Sequence, residues 1–386
     1  MTILKLSDID SPSSAVRKSL LSWIRASTAA EGFCVPDNNK RGDFPWGTKG
    51  DLNRVGDKLR AGEELSVEDA QKLDVWRASH FHVMNAFQAM LRKRTKSLPI
   101  TVAQRHKRRI TIIDKLSREP SMLLARMDDV AGIRLIFPTL LEMIEFRGKF
   151  LKARHNHTKK NHDDKYNYIK TPRSTGYRGV HDIYSYNSGS TNHLKYNGTM
   201  IEVQYRTIHT HAWATANEVI TMTTGQRTKF NNADRNYLEF FRLSSEIFAR
   251  AFDDRTSVYP DETDSSIISK FDALDKILHI TQRLKLLNIA RADIENFDGG
   301  VVLRFESDGS LYIHPVPRFQ NSIEYYFRIE KENPSSDVVL VNSAEAGHIR
   351  SAYRNYFSDT TEFLDFLSSG RKKLLGTGDA ISYARG

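Results

Sequence analysis

The chain has 386 residues, enough for two or three domains with cores of their own, and its 39% hydrophobic content is that of an ordinary globular protein. One cysteine, Cys34, excludes an intramolecular disulfide framework and a multi-cysteine zinc site, so no structural zinc is expected. No apolar run approaches the roughly 18 residues of a spanning helix, and residues 1–10 lack a signal-peptide pattern, so a cytoplasmic location is expected, while a net charge of +10 favours an anionic partner such as nucleic acid.

Along the chain, residues 11–30 read as a helix with Pro12 in its first turn, followed by a Gly/Pro/Asn/Asp-rich loop over 32–50. Residues 63–96 carry apolar side chains at helical spacing, from Leu65 to Leu91, and predict one or two packed helices. A further helix is predicted over 110–116, a buried strand over 129–137 ended by Pro138, and a helix over 140–152. Strands follow at 180–186 and 199–206, the second with Glu202 and Gln204 on one face and Val203 and Tyr205 on the other, then a helix over 209–221. The alternation predicts an α+β fold with a mixed sheet flanked by helices. Residues 253–266 read as an acidic, polar linker and 267–289 as an amphipathic helix. A smaller second domain is expected beyond: a hairpin of 299–305 and 311–316, strands at 323–329 and 338–341, and helices at 344–357 and 361–367. The implied division is residues 1–262 and 263–386.

Chemistry concentrates in the middle. Between residues 147 and 178 ten lysines and arginines are opposed only by Asp163 and Asp164. Within this stretch His155, His157 and His162 lack the i, i+4 spacing of a helical metal site and sit among turn-forming residues, which reads as a polar loop. The cassette Tyr-Ile-Lys-Thr-Pro-Arg-Ser-Thr-Gly-Tyr-Arg-Gly-Val-His ends at His181. There Lys170, Arg173 and Arg178 supply charge on a loop bent by Pro172 and Gly176, and Tyr177 offers a ring for base stacking. Acids close the flanking strand-like runs at Asp129 and Glu202. A carboxylate pair facing a basic loop suits a magnesium ion bridged to substrate phosphates.

Four ordered blocks carry a resemblance: Asp-Val-Ala-Gly-Ile-Arg from Asp129, the cassette, Ile-Glu-Val-Gln-Tyr-Arg-Thr from Ile201, and His-Ala-Trp-Ala from His211. Together they resemble the RelA/SpoT synthetase domain, over roughly residues 102–218. The resemblance implies a nucleotidyltransferase-like pyrophosphokinase that moves the β,γ-diphosphate of ATP to a ribose hydroxyl and releases AMP. It assigns Mg2+ to Asp129, with Glu202 helping to hold it or accepting the hydroxyl proton. It gives ATP to Arg105, Lys107, Lys115 and Arg134, with adenine stacked between the two arginines, and the acceptor to Lys170, Arg173, Tyr177, His181 and Gln204. Arg108 and Arg109, and the pair Pro172-Arg173, depart from the usual pattern and bear on acceptor preference.

The segment Ala-Tyr-Arg-Asn-Tyr-Phe spaces Tyr353 and Tyr356 at i, i+3. With the small domain around it, this resembles the CapRel fused toxin-antitoxins, whose C-terminal part looks like a zinc finger without metal. That resemblance implies that the two tyrosines occupy the donor pocket at rest, that the acceptor is the 3′ CCA end of tRNA, and that a phage protein, typically the major capsid protein, releases the inhibition. The alternative acceptor is a mononucleotide, as in alarmone synthetases making (p)ppGpp or (p)ppApp.

Overall fold

The computed structural model describes residues 46–107, 109–224, 235–255, 258–295, 300–306, 311–316, 325, 328–329, 332–333, 336–342 and 360–376. The expected helix at 11–30, residues 32–45 of the expected loop at 32–50, and the helix at 344–357 with Tyr353 and Tyr356 lie outside these residues, and the described end of that loop is helical from Lys49. Contacts divide the described chain into two units. One takes in the residues up to 167 together with 179–206, and the other 168–178 and everything from 207 onward.

The first unit opens with α1 (Lys49–Ala61), whose start is fixed by a reciprocal capping box between Thr48 and Asp51 and whose end is closed by Gly62 at φ 71°. Residues 67–95 form one unbroken helix, α2 (Val67–Thr95), capped by Ser66. Its buried stripe Leu73, Trp76, Val83, Met84, Phe87 and Leu91 keeps helical spacing throughout, so nothing in the sequence breaks it. After β1 (Thr101–His106) come α3 (Arg109–Arg118), β2 (Ala131–Phe137), α4 (Leu140–Lys152), β3 (Thr158–Lys159), β4 (Val180–Ser185) and β5 (Met200–Thr207). The sheet order is β1-β2-β5-β4-β3. Neither β1 nor β3 is among the predicted strands: β1 is short and dominated by Gln104, Arg105 and His106, which hide the apolar alternation, and β3 is two residues long.

Register sorts the side chains. β1 pairs antiparallel with β2, setting Arg105 opposite Gly132 and Ala103 opposite Arg134. β4 pairs antiparallel with β5, setting His181 opposite Gln204 and Ile183 opposite Glu202. The alternate residues face helices α2 and α4: Tyr184 packs on Phe87 and Phe150, and Phe137 on Phe146. Asp182, fully buried on this side, is held by a bidentate pair with Arg147 at 2.8 and 2.9 Å. One face of the sheet is thus closed by helices, and the other carries the polar residues.

The second unit contains α5 (Ile208–Thr224), α6 (Arg235–Phe252), α7 (Asp264–Leu278), α8 (Ile280–Glu295), the strands β6 (Gly300–Phe305), β7 (Leu311–Val316) and β8 (Asp337–Asn342), and α9 (Thr361–Leu374). The strands form a small antiparallel sheet ordered β7-β6-β8. Residues on both sides of position 262 share one core, including Phe240, Phe241, Ile247, Ile267, Phe271 and Phe363. The expected linker is corrected in its described part: Arg250 donates to the carbonyls of Tyr259 and Glu262, and Tyr259 donates to Glu239, so this acidic segment is tied to α6. The expected helix at 267–289 is two, because His279 adopts the left-handed conformation at φ 53°. Where a strand was expected at 323–329, Tyr325, Arg328 and Ile329 are helical, with Ile329 buried against Val302, Val316 and Val338.

Burial in this unit perturbs one acid. Desolvation raises the Asp253 carboxyl from 3.8 to about 6, against the opposing attraction of Arg178 and Arg255. The folded state therefore holds this proton more tightly than the unfolded chain, and stability falls as pH rises from about 4 to about 6. Asp253→Asn is expected to be more stable than the parent by on the order of 1–3 kcal/mol at pH 7, with the gap closing near pH 4. Chemical denaturation at the two pH values checks this, and an equal gap at both would refute it.

Candidate active site

The carboxylate of Asp129 lies at the mouth of β2, where the Lys107 amide continues the β1–β2 ladder by donating to the Val130 carbonyl at 2.9 Å. That ladder brings Lys107 back onto the acid. Its Nζ lies 2.6 Å from Oδ2 of Asp129, and Nζ of Lys115, from the last turn of α3, lies 3.1 Å from Oδ1. All three side chains are largely buried. Burial alone would raise the Asp129 carboxyl, but Lys107 and Lys115 outweigh it and hold it below the ordinary carboxylate range. The lysines differ: desolvation wins at Lys107 and lowers it, whereas at Lys115 the attraction of Asp129 and Asp128 wins and raises it.

Glu202 is clamped across the β4–β5 pair. Nδ1 of His181 lies 2.8 Å from Oε1, and Nε2 of Gln204 donates to Oε2 at 2.5 Å. Arg206 in turn donates to the Gln204 carbonyl oxygen at 3.3 Å, which fixes the way the amide faces. Burial would raise the Glu202 carboxyl, yet His181, Gln204 and Arg105 together push it far below the usual range. Glu202 and Asp129 also act on each other electrostatically, each raising the other's cost of ionisation, so the surrounding cations keep both charged. Asp128, not expected from sequence, belongs to the same field and is raised by burial first and by Asp129 and Glu202 next.

Arg105 and Arg134 are diagonal cross-strand neighbours on one face of the β1–β2 pair. Such neighbours stand about 7–8 Å apart, a separation that admits one planar ring between two guanidinium planes. Asp129, Glu202, Arg105, Lys107, Lys115, Arg134, His181 and Gln204 thus all belong to the first unit.

Lys170, Arg173 and Tyr177 belong to the second unit. Lys170 is exposed. Arg173 lies over the Tyr168 ring, 4.5 Å from its centroid, and donates to its hydroxyl at 2.6 Å. Tyr177 is only 9% exposed and packs against Trp213 and Tyr168, so an acceptor base would reach its face only after this packing opens. Arg178, grouped by sequence with the phosphate-facing cations, is corrected: it is 3% exposed and ion-paired to the fully buried Glu246 at 2.9 Å. A buried arginine with a buried counter-ion is a structural pair. Glu246 and Ser245 were not singled out because α6 itself went unread, although its apolar spacing from Phe240 to Ala251 is visible in the sequence.

With this geometry in hand, residues 104–221 match the family described as "Region found in RelA / SpoT proteins". Residues 104–221 carry a RelA/SpoT domain. Among solved structures it is similar to small alarmone synthetase 1 from Bacillus subtilis, at 21% identity and TM-score 0.39, covering 47% of this chain and 92% of that one. The same synthetase bound to its product pppGpp aligns at 20% identity and TM-score 0.41, covering 48% and 94%. A GTP pyrophosphokinase family protein from Streptococcus pneumoniae aligns at 20% and TM-score 0.36, covering 47% and 89%. No curated protein matches the chain. The RelA/SpoT domain makes the enzyme class a pyrophosphokinase, and no described helix is long and apolar enough to cross a membrane.

This class implies a divalent cation. Among the described residues no group of three or more His, Cys, Asp or Glu converges on one point. Two ionised carboxylates with hard oxygen donors suit magnesium, which is commonly held by one or two carboxylates and completed by substrate phosphates. Both Asp129 oxygens already carry lysine ammonium groups, so a cation there must compete with Lys107 and Lys115. Lys107→Met removes one of these competitors and one positive charge beside Asp129 together. It is expected to raise the apparent ATP KM at least tenfold while folding normally; an unchanged KM in steady-state kinetics would place Lys107 outside the donor site.

Proposed function

We propose that the chain transfers the β,γ-diphosphate of ATP to a ribose hydroxyl, using the sheet face that carries Asp129 and Glu202. The observation that carries this reading is the convergence on that face of two buried, ionised carboxylates with Lys107, Lys115 and His181. Transfer of this kind depends on positioning and charge stabilisation, with little covalent work for the protein. The hydroxyl oxygen bonds to the β-phosphorus, the bond from that phosphorus to the bridging α,β-oxygen breaks, and AMP departs with that oxygen.

Lys107 and Lys115 face the charge that spreads over the transferred phosphates, and Arg105 and Arg134 grip the adenine between them. Glu202 orients the attacking hydroxyl. Its depressed basicity means that it takes the proton late, as the oxygen bonds to phosphorus and its hydroxyl becomes strongly acidic. His181 and Gln204 hold the Glu202 carboxylate in place. Magnesium held by Asp129, with Glu202 contributing, would neutralise donor phosphate charge and orient the leaving group.

For the acceptor, the preferred reading is an RNA 3′ end, the CCA of tRNA. Supporting it are Arg92, Lys93, Lys96, Lys152 and Arg154, exposed cations with no carboxylate partner among the described residues. Arg94 joins the ends of α2 and α4 by donating to the Arg154 carbonyl at 3.5 Å. Cations in a last helical turn complement the helix dipole, but five without counter-ions at two adjoining ends suit a polyanion better. A mononucleotide acceptor, GDP or GTP, is the second reading, favoured by the RelA/SpoT domain itself. Residues 263–386 are proposed to restrain the enzyme, through Tyr353 and Tyr356, until a phage protein such as a major capsid protein binds. This part rests on the CapRel resemblance.

Incubation of the full-length chain carrying Tyr356→Ala, which lifts the proposed restraint, with γ-labelled ATP, bulk tRNA, GDP and GTP together tests the acceptor. Label on tRNA is expected, label on GDP or GTP gives the second reading, and no acceptor label with Asp129→Asn behaving as the parent would overturn the proposal.

A further inference from the structure

Loop 168–178 has its support inside the second unit, on α6. Gly176 sits at φ +87°, and a Cβ there would lie 3.0 Å from the Arg242 Cα and 3.1 Å from the Phe241 carbonyl, so the loop backbone touches the helix with no side chain between. Ser245 donates to the Gly176 carbonyl at 2.5 Å and accepts from Nε of Arg178 at 3.1 Å. Glu246 takes the other end of Arg178. Position by position, Arg242, Ser245 and Glu246 face the loop.

The next residues of α6 face α9. Gly370 of α9 brings the two helices together: a Cβ there would lie 3.2 Å from Ile247 and 3.4 Å from Ala251. Phe363, fully buried, packs on Phe248 with ring centroids 5.5 Å apart, and Phe366 packs on Phe252 at 5.8 Å. Nζ of Lys373 donates to the Ala251 carbonyl at 2.6 Å, satisfying an end of α6 that has no partner of its own. Phe248 is the shared element. It packs on Phe363 and also lines, with Gly176 and Arg178, a small cavity beneath the loop.

We propose that α9 sets the conformation of loop 168–178 through α6, so that Phe363, Phe366 and Lys373 are positioning residues for Arg173 and Tyr177. As a statement about acceptor binding it rests on the reading of that loop given above. As a statement about the fold it does not. Close-packed cores transmit displacement because they have no slack to absorb it, and Tyr177 is itself part of the core that α6 and α9 build. Loosening α9 frees Phe248 to shift, removes the wall behind Ser245 and Glu246, and lets the loop amides open.

Hydrogen exchange on the full-length chain tests this with two variants. Phe363→Ala removes the packing, and Lys373→Met is a milder change that removes one capping bond. Ser245→Ala marks what direct loss of the loop anchor looks like. In both α9 variants the amides of Arg173 and Gly176, bonded to the carbonyls of Tyr177 and Arg173, are expected to exchange at least about fivefold faster, while those of β1 and β2 keep their parent rates. In the Tyr356→Ala background, which lifts the proposed restraint, the acceptor KM is expected to change while the ATP KM is unchanged. If α9 exchanges faster in Lys373→Met while the loop keeps its parent rate, the coupling is refuted. Should Phe363→Ala accelerate the whole unit evenly, Lys373→Met decides. Faster loop exchange with an unchanged acceptor KM leaves the coupling standing and removes the loop from the acceptor site.

Discussion

Two carboxylates buried on one face of a sheet would repel each other and recruit protons unless cations stood against them. In this protein Lys107 and Lys115 take the two oxygens of Asp129, and His181 and Gln204 take the two of Glu202. Much of the first unit follows from that requirement. The β1–β2 register delivers Lys107, α3 is placed so that its last turn delivers Lys115, and the β4–β5 register sets His181 opposite Gln204. The other face has its own buried acid, Asp182, but there a bidentate arginine completes the charge, and helices α2 and α4 seal it. One face is finished as a core and the other is left with charges that a polyphosphate can engage.

The second unit solves a different problem. Loop 168–178 carries three basic residues, one proline and one glycine at a positive φ, a composition that does not hold a conformation by itself. Its order comes from α6, through Ser245, the buried Arg178–Glu246 pair and the tight approach of Gly176. Breaking such a pair by removing one partner typically costs about 3–5 kcal/mol, so the pair pins the loop more firmly than exposed charges would. Arg250, which also bonds Glu246, joins the same buried acid to the segment after α6.

Much of this was legible in the sequence, and what was not had physical reasons. Strands β2, β4 and β5 announce themselves by β-branched and aromatic runs, and the acids stand out, Asp129 just before β2 and Glu202 within β5. Strand β1 was missed because a site strand carries Arg105 and His106 where a core strand would carry apolar residues. Arg178 was misassigned because charge in a loop reads as exposed until its partner is known, and that partner, Glu246, lies 68 residues away on a helix. Tyr177 shows the same limit. An aromatic ring in a polar loop suggests stacking on a ligand, whereas the fold first gives it Trp213 and Tyr168.

The most direct measurement of the central claim is which nucleotide the donor becomes. ATP labelled in its α-phosphate, incubated with the full-length chain carrying Tyr356→Ala to lift the proposed restraint, magnesium and the acceptor that takes up label, should yield AMP in step with acceptor modification, and adding Asp129→Asn should abolish both. Release of ADP would mean that a single phosphoryl group moves, and AMP formation unaffected by Asp129→Asn would mean that the chemistry does not occur at this sheet face.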